Sequence, residues 1–328
     1  MMKAFLILMC SLPLIACGQT SETSEILRNA LEKHPQADTN KDGILTRNEA
    51  IAYRNEAKEV QKKKRAAMPK SAETHIYKTV NDVKLSLYLF KPEDHEAQDQ
   101  RPAIVFFHGG GWKGGSPSAF IPQCEHLAGR GMVAITVEYR VSSRHDVTPA
   151  DCVEDAKTAM RWVRANANKL GINPNRIASG GGSAGGHLAA CTALIADYNA
   201  TDDPKVSAAP NAMVLFHPAL ALAPHEGLSD MANAHLAARS KGSKVSPKNI
   251  SPLSHVNKKQ APCLILFGTD DRLLEGAEVF EHYSQEAGNT CKLVTYEGAG
   301  HGFFNSGKFR ELTMKEMDQF LVELGWLK

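Results

Sequence analysis

The turn that decides the fold reads Gly181-Gly182-Ser183-Ala184-Gly185, a Gly-x-Ser-x-Gly pattern. It lies between a strand-like run at residues 175–179 and a helix-like run at residues 187–195. A serine hydroxyl is a poor nucleophile unless the fold exposes and activates it. A sharp strand-to-helix turn flanked by small residues provides that exposure. The pattern therefore predicts Ser183 as a nucleophile at such a turn.

Three further polar segments each follow an apolar, strand-like run. In chain order they are His108-Gly109-Gly110-Gly111-Trp112, Gly268-Thr269-Asp270-Asp271 and Gly298-Ala299-Gly300-His301-Gly302-Phe303. With Ser183 they give the order glycine loop, Ser, Asp, His, which is the order in α/β-hydrolases. The sequence therefore predicts a serine hydrolase with the triad Ser183, Asp271 and His301, and Asp270 stays open as an alternative to Asp271.

Strand-like and helix-like segments alternate along most of the chain. Nearly all-apolar runs predict strands at residues 103–107, 132–137, 177–179, 213–216, 264–267 and 292–296. Residues 74–77 and 83–90 alternate apolar and polar, as in an antiparallel hairpin. Residues 150–168 repeat apolar side chains at helical spacing. The prediction is an α/β fold, with a mostly parallel central sheet and helices on both of its faces.

Several motifs carry a resemblance to a known family. Besides the segments above, they are Val137-Glu138-Tyr139-Arg140, Arg161-Trp162-Val163-Arg164-Ala165-Asn166 and Gly185-Gly186-His187. Over residues 74–328 the chain resembles the hormone-sensitive-lipase-like serine esterases, especially their short-chain esterase and acetylxylan-esterase-like (BD-FAE-type) relatives. The resemblance implies the α/β-hydrolase fold and an esterase that needs no cofactor for catalysis. The family's usual Leu-x-Pro is Val141-Ser142-Ser143 here, so a different loop is expected.

Acyl-transfer chemistry gives each predicted site residue a role. Ser183 is expected to attack an ester carbonyl, His301 to take and return the proton, and Asp271 to orient the imidazole. Preorganised backbone N–H groups bind the oxyanion of the tetrahedral intermediate. The predicted oxyanion hole consists of the N–H groups of Gly110, Gly111 and Ala184.

Neighbouring residues are predicted to support this site. His108 is expected to organise the glycine loop, and Glu138 and Arg140 are expected to form a buried structural pair. Trp112 either walls the acyl pocket or packs in the core. Residues 220–249 interrupt the strand–helix pattern and are expected to form a small lid, with a surface excursion as the alternative.

Composition limits the possible partners. The chain has 328 residues, 43% hydrophobic and 23% charged, with a formal net charge of +2. These are ordinary values for a globular protein, and no nucleic-acid partner is expected. The one basic cluster, residues 62–65, is interpreted as a solvated helix end.

The N-terminus has the pattern of an export signal. Lys3 precedes the apolar residues 4–16, a stretch too short to span a bilayer, and Cys17 follows directly. The ending Leu14-Ile15-Ala16-Cys17 resembles the bacterial lipobox. The expectation is an exported lipoprotein held on a membrane, on its periplasmic or outer-membrane face, by lipid on Cys17. A plain secretory signal is the alternative.

Residues 38–49 fit the calcium loop of an EF-hand position by position. Gly43 stands at the sharp turn, and helix-like segments flank the loop. The predicted Ca²⁺ ligands are Asp38, Asn40, Asp42, the carbonyl of Ile44, and Glu49. A polar turn that caps the second helix is the alternative. The predicted domains are a signal peptide (1–16), an EF-hand-like segment with its linker (17–70) and the hydrolase domain (71–328).

The expected activity is hydrolysis of short acyl esters, such as acetyl groups on polysaccharide. Two alternatives stay open: an amidase or peptidase on the same fold, and a calcium-dependent surface-binding module. The intact triad and the glycine loop favour the esterase. Cysteines beyond the signal number five, so at least one is free, and the sequence does not pair the others.

Overall fold

The computed structural model of the protein describes residues 19–66, 68–200 and 205–328. The chain divides into two compact units, residues 1–67 and residues 68–328. The predicted signal peptide and Cys17 lie outside the described residues.

The first unit is a pair of helices around a small apolar core. Its helices are α1 (Glu25–Lys33) and α2 (Arg47–Ala66), with a 3-10 turn at Pro35–Ala37 between them. Thr20 and Thr46 form an isolated antiparallel bridge. The buried core consists of Leu27, Ala30, Ala37, Leu45 and Ala50.

The second unit is built on one eight-stranded sheet with the order β1-β2-β4-β3-β5-β6-β7-β8. The strands are β1 (Glu73–Val80), β2 (Val83–Phe90), β3 (Arg101–Phe107), β4 (Val133–Val137), β5 (Ile172–Gly182), β6 (Ala212–Phe216), β7 (Cys263–Gly268) and β8 (Cys291–Tyr296). β2 pairs antiparallel with both β1 and β4, and all other neighbours are parallel. This confirms the predicted mostly parallel sheet.

Helices cover both faces of the sheet, as predicted. The helices of this unit are α3 (Ile121–Gly129), α4 (Ser142–His145), α5 (Pro149–Ala165), α6 (Ala184–Leu194), α7 (Asp230–Ser240), α8 (Leu274–Glu286) and α9 (Gly307–Glu323). One core layer joins the sheet to α5, α6 and α8, and the other joins it to α3 and α9. Side chains of β3 alternate between the layers: Val105 and Phe107 face one, and Ile104 and Phe106 face the other.

Candidate active site

Every predicted site segment of the second unit lies just past the carboxyl end of a parallel strand. The glycine loop follows β3, Ser183 follows β5, Asp271 follows β7 and His301 follows β8. The strand order reverses around β3, because the chain passes from β3 to β4 on one side and then to β5 on the other. Such switch points place loops from neighbouring strands together at one edge of the sheet.

The turn at Ser183 is tight, and its glycines are required by packing. Ser183 has φ +54°, a conformation that non-glycine residues rarely adopt, and it directly precedes α6. A Cβ on Gly185 would lie 1.9 Å from the carbonyl oxygen of Phe107. A Cβ on Gly181 would lie 2.5 Å from the backbone of Gly185. Only glycine at both positions lets α6 start close enough to β3 to form the turn.

The three predicted triad residues form one hydrogen-bonded chain. His301 Nε2 lies 2.9 Å from Ser183 Oγ, and His301 Nδ1 lies 2.6 Å from Asp271 Oδ2. Asp271 Oδ1 also accepts from the N–H of Leu273. The structure places Asp271 beside the imidazole, whereas Asp270 is exposed at the surface.

Hydrogen bonds keep Asp271 ionised despite its burial. Burial raises the pKa of Asp271. The hydrogen bonds from His301 and from the Leu273 N–H lower this pKa by more than burial raises it, so the pKa lies below its ordinary value. Since an ionised carboxylate only accepts, His301 Nδ1 donates to Asp271. His301 Nε2 is then left as the acceptor for the Ser183 hydroxyl.

The glycine loop lies against the nucleophile turn. A Cβ on Gly109 would be 3.0 Å from the Gly182 oxygen and 3.5 Å from Ser183 Cβ. Gly110 and Gly111 have φ of +124° and +62°. Within the described part of the chain, the N–H groups of Gly110, Gly111 and Ala184 donate to no protein acceptor. They are therefore available to an oxygen bound beside Ser183.

A buried aromatic network holds the glycine loop. The Tyr139 hydroxyl donates to the His108 carbonyl at 2.6 Å, and the two rings stack at 4.2 Å. Trp112 Nε1 donates to His187 Nδ1 at 3.2 Å, and His187 Nε2 donates to the carbonyl of Ile250 at 2.7 Å. His187 thus joins the glycine loop to the chain after α7.

The predicted pair of Glu138 and Arg140 is wrong, because each has another partner. Arg140 binds both carboxylate oxygens of the fully buried Asp155, at 2.8 Å each. Lys78 Nζ also lies 2.8 Å from Asp155, while Glu138 accepts from the Ser86 N–H. Asp155 lies on α5, and a buried guanidinium is most stable with a bidentate carboxylate.

The sequence prefers His301 to His217 as the base and assigns His217, which lies directly after β6, no other role. Its ring meets the His301 ring edge-on, with centroids 4.1 Å apart. The side chain is 3% exposed, and neither ring nitrogen has a hydrogen-bond partner among the described residues. Burial lowers the pKa of His217 to about 3, so the ring is neutral. The available signal was a polar residue immediately past an apolar strand.

In the first unit, carboxylates of the predicted calcium loop accept hydrogen bonds from other residues of the same loop. Asp38 Oδ2 accepts from the Gly43 N–H, and Gly43 has φ +83°. Glu49 accepts from the backbone and hydroxyl of Thr46, at 3.0 and 2.7 Å, which lowers the pKa of Glu49 to about 2. Carboxylate, amide and carbonyl oxygens are the ligands Ca²⁺ prefers, so the residues present fit that ion.

The segment after β6, for which a small lid is predicted, contains the helix α7. The N–H of Ser229, just before α7, lies 2.6 Å from Glu275 of α8. The helix itself has no buried residue, and Met231 is 81% exposed. Met231 is the one large apolar side chain of the segment that is exposed.

Two further observations concern the whole described chain. Its cysteines are Cys124, Cys152, Cys191, Cys263 and Cys291, all buried and without disulfide bonds. Among the described helices, none has the length and apolar character needed to cross a bilayer.

Comparison with known proteins agrees with this geometry. Residues 87–280 match the protein family described as BD-FAE. Structures of Thermogutta terrifontis esterase 2 are similar when phosphorylated by paraoxon (45% identity, TM-score 0.72), propionate bound (47%, 0.73) and butyrate bound (46%, 0.73). In each case the match covers 79% of this chain and 96% of that one.

Curated relatives are matched over shorter parts of their length. Acetylxylan esterase of Xylanibacter ruminicola is 31% identical over 274 residues, covering 80% of this chain and 52% of the relative. Carboxylesterase NlhH of Mycobacterium tuberculosis is 39% identical over 100 residues, covering 30% of this chain and 31% of the relative. The chain therefore spans about half of the first protein and about a third of the second.

Proposed function

This chain belongs to the BD-FAE family and contains the domain of a carboxylic ester hydrolase, and from that premise we propose that it is a serine carboxylesterase acting on short-chain, acetyl-like esters. The observation that carries the proposal is the hydrogen-bonded chain from Ser183 through His301 to Asp271 beside unpaired glycine-loop amides. Every catalytic group of the proposed reaction is a side chain or a backbone amide of the chain, and the relatives are esterases, so we propose that catalysis needs no cofactor.

In the proposed reaction, Ser183 Oγ attacks the ester carbonyl while His301 Nε2 takes its proton. The carbonyl oxygen becomes an oxyanion, which the N–H groups of Gly110, Gly111 and Ala184 bind. His301 then protonates the leaving alcohol. Water attacks the acyl-enzyme with His301 as base, which releases the acid and restores Ser183.

Relatives support a short acyl group and a polysaccharide as the alcohol part of the ester. The Thermogutta terrifontis esterase was solved with propionate and with butyrate bound, and the Xylanibacter ruminicola relative is an acetylxylan esterase. We therefore infer small acyl groups as the substrate class, with acetylated polysaccharide as the first natural substrate to test.

The test is release of p-nitrophenol from acetate, butyrate and octanoate esters. Ser183→Ala is expected to lower kcat by roughly 10⁴- to 10⁶-fold. Ser306→Ala is the matched control, since Ser306 is exposed and its side chain caps no helix. Activity should fall from acetate to octanoate, and acetate release from acetylated xylan should follow the same serine. Equal rates for wild type and Ser183→Ala would overturn the assignment, and faster cleavage of p-nitroacetanilide than of the esters would indicate an amidase.

We further propose that Cys17 carries lipid and holds the exported protein on a membrane. The support is the Leu14-Ile15-Ala16-Cys17 pattern after an apolar stretch. Radiolabelled palmitate should be incorporated by wild type and not by Cys17→Ala, which should leave the membrane fraction. A Cys17→Ala protein that still sediments with membranes and still takes up label would exclude this anchor.

A further inference from the structure

His217, Asp271 and His301 form a cluster of metal-ligand side chains at the active site. Each offers one ligand atom, and these atoms all lie within 4.8 Å of one another. Among the residues that the structure describes, this is the one such group of three or more His, Cys, Asp or Glu side chains. Two imidazoles and a carboxylate form a ligand set that suits Zn²⁺ and related transition metals.

The state of His217 is a second observation that points to a ligand. Both ring nitrogens are buried without a hydrogen-bond partner in the described protein, although buried polar atoms are almost always paired. Phe303 and Phe304 pack around the ring, and neither provides a hydrogen-bond partner. His301 is 46% exposed, so an ion can enter from its side.

We propose that His217, Asp271 and His301 bind a divalent transition-metal ion of the Zn²⁺ type, and that the bound ion inhibits ester hydrolysis. The inhibitory part rests on the triad proposed above, whereas binding itself does not. Three protein ligands leave a fourth position for water, as in open zinc sites.

Inhibition follows from the tautomer of His301. The ion takes the place of the proton between His301 Nδ1 and Asp271 Oδ2, which are 2.6 Å apart without metal. Coordination uses the lone pair of Nδ1, so the single proton of the neutral imidazole moves to Nε2. Nε2 then donates a hydrogen bond and cannot accept the proton of Ser183. No proton is gained or lost by the protein in this exchange.

The first experiment measures inhibition of p-nitrophenyl acetate hydrolysis by ZnCl₂, with each variant compared with its own metal-free rate. Wild type should be inhibited and should recover fully in EDTA. His217→Phe removes one ligand and is expected to raise the half-inhibitory Zn²⁺ concentration at least about tenfold. His282→Phe is the control, because His282 lies outside the proposed site and forms an exposed pair with Glu286 on α8, with 3.4 Å between the two side chains.

The second experiment measures Zn²⁺ binding without using activity. Equilibrium dialysis of Ser183→Ala should show one bound ion that is absent when His217→Phe is added, and Co²⁺ should give visible d–d absorption only with His217 present. If the phenylalanine variant does not fold, His217→Asn replaces it. Equal inhibition and equal binding with and without His217 would overturn the proposal. If Zn²⁺ binding depends on His217 but the wild-type protein hydrolyses no ester, the metal site is supported and the proposed function is refuted.

Discussion

The imidazole of His301 makes a different hydrogen bond at each nitrogen, and this asymmetry defines its chemistry. Asp271 is buried and ionised, and it receives the Nδ1 proton. The opposite nitrogen is thereby kept as an acceptor 2.9 Å from Ser183 Oγ. A neutral amide in place of Asp271 would still form a hydrogen bond but would favour the other tautomer.

We expect Asp271→Asn to lower kcat by about 10⁴-fold with little change in stability. The reason is that the wrong nitrogen of His301 would then carry the proton. Steady-state kinetics on p-nitrophenyl acetate measures the effect. Asp270→Asn, one residue away and exposed, should keep nearly full activity; the reverse pattern would assign the acid to Asp270.

At the residue level, motifs located the polar groups of the turns but not their partners across the fold. Ser183, Asp271 and His301 could be predicted because each follows a strand in a glycine-rich turn. Arg140 could not be matched with Asp155, which is 15 residues away on α5. The contact of His217 with His301 could not be predicted, because it depends on the order of β6, β7 and β8 in the sheet.

At the level of elements, the nucleophile turn depends on how closely α6 approaches β3. Gly185 lies in the first turn of α6, and its missing side chain allows contact with the carbonyl of Phe107. The backbone of Gly180 likewise lies against the Phe106 ring, where a Cβ would be 2.7 Å away. The protein interior is packed so densely that neighbouring atoms cannot move aside locally to make room for an added Cβ at these positions.

We expect Gly185→Ala to destabilise the protein by at least about 3 kcal/mol and to abolish esterase activity. A Cβ 1.9 Å from a backbone oxygen forces the helix away from the sheet. Urea unfolding gives the stability change. Gly129→Ala is the matched control: Gly129 ends α3 with nothing within 4 Å of its Cβ position, so alanine should stabilise by about 0.5–1 kcal/mol. A normal midpoint for Gly185→Ala would contradict the packing argument.

The positions of strands and helices could be predicted where the pattern of apolar residues indicates which side chains are buried. All eight strands of the sheet were located from apolar or alternating runs. β5 begins at Ile172, before both predicted starts, at residues 175 and 177. The earlier start was missed because residues 173–176 are polar or proline and give no apolar run. The short helix α4 after Val141 could not be predicted, since four residues give no periodicity.

At the scale of the whole molecule, the three buried histidines of the described second unit couple its stability to pH. Burial lowers the pKa of His108 and His187 to about 4 and that of His217 to about 3. The unfolded chain binds these protons near pH 6.5, and the folded chain does not. Stability is therefore complete above pH 6.5 and is lost as pH falls toward 4.

We expect the free energy of unfolding to fall by up to about 4 kcal/mol per pH unit between pH 6 and 5, from three groups at about 1.4 kcal/mol each. Urea unfolding at a series of pH values measures this slope. His187→Gln should lower the slope by about one third, because one proton-binding group is removed. A stability that is flat from pH 7 to 5 would show that these rings are protonated in the folded protein.

We propose that Ca²⁺ stabilises the first unit without entering the chemistry. EF-hands of extracellular modules bind Ca²⁺ with a Kd of about 1 mM. About 10 mM Ca²⁺ should therefore add about 1.4 kcal/mol to the free energy of unfolding of the first unit. Calorimetry should show that the first unit unfolds at a lower temperature in EDTA than in Ca²⁺, and ester turnover should be the same in both buffers. Glu49→Gln should lose the calcium response. Turnover lost in EDTA by a folded protein, or identical transitions in both buffers, would contradict this role.

The five buried thiols make each layer of the fold separately observable. Cys124 lies in the core layer with α3 and α9, whereas Cys152, Cys191, Cys263 and Cys291 lie in the layer with α5, α6 and α8. Burial raises the pKa of Cys124 and Cys191, so neither reacts while its layer stays closed. Pulse alkylation followed by peptide mass spectrometry should therefore record which layer opens first, and simultaneous labelling of all five would mean that the sheet and both helix layers open as one cooperative unit.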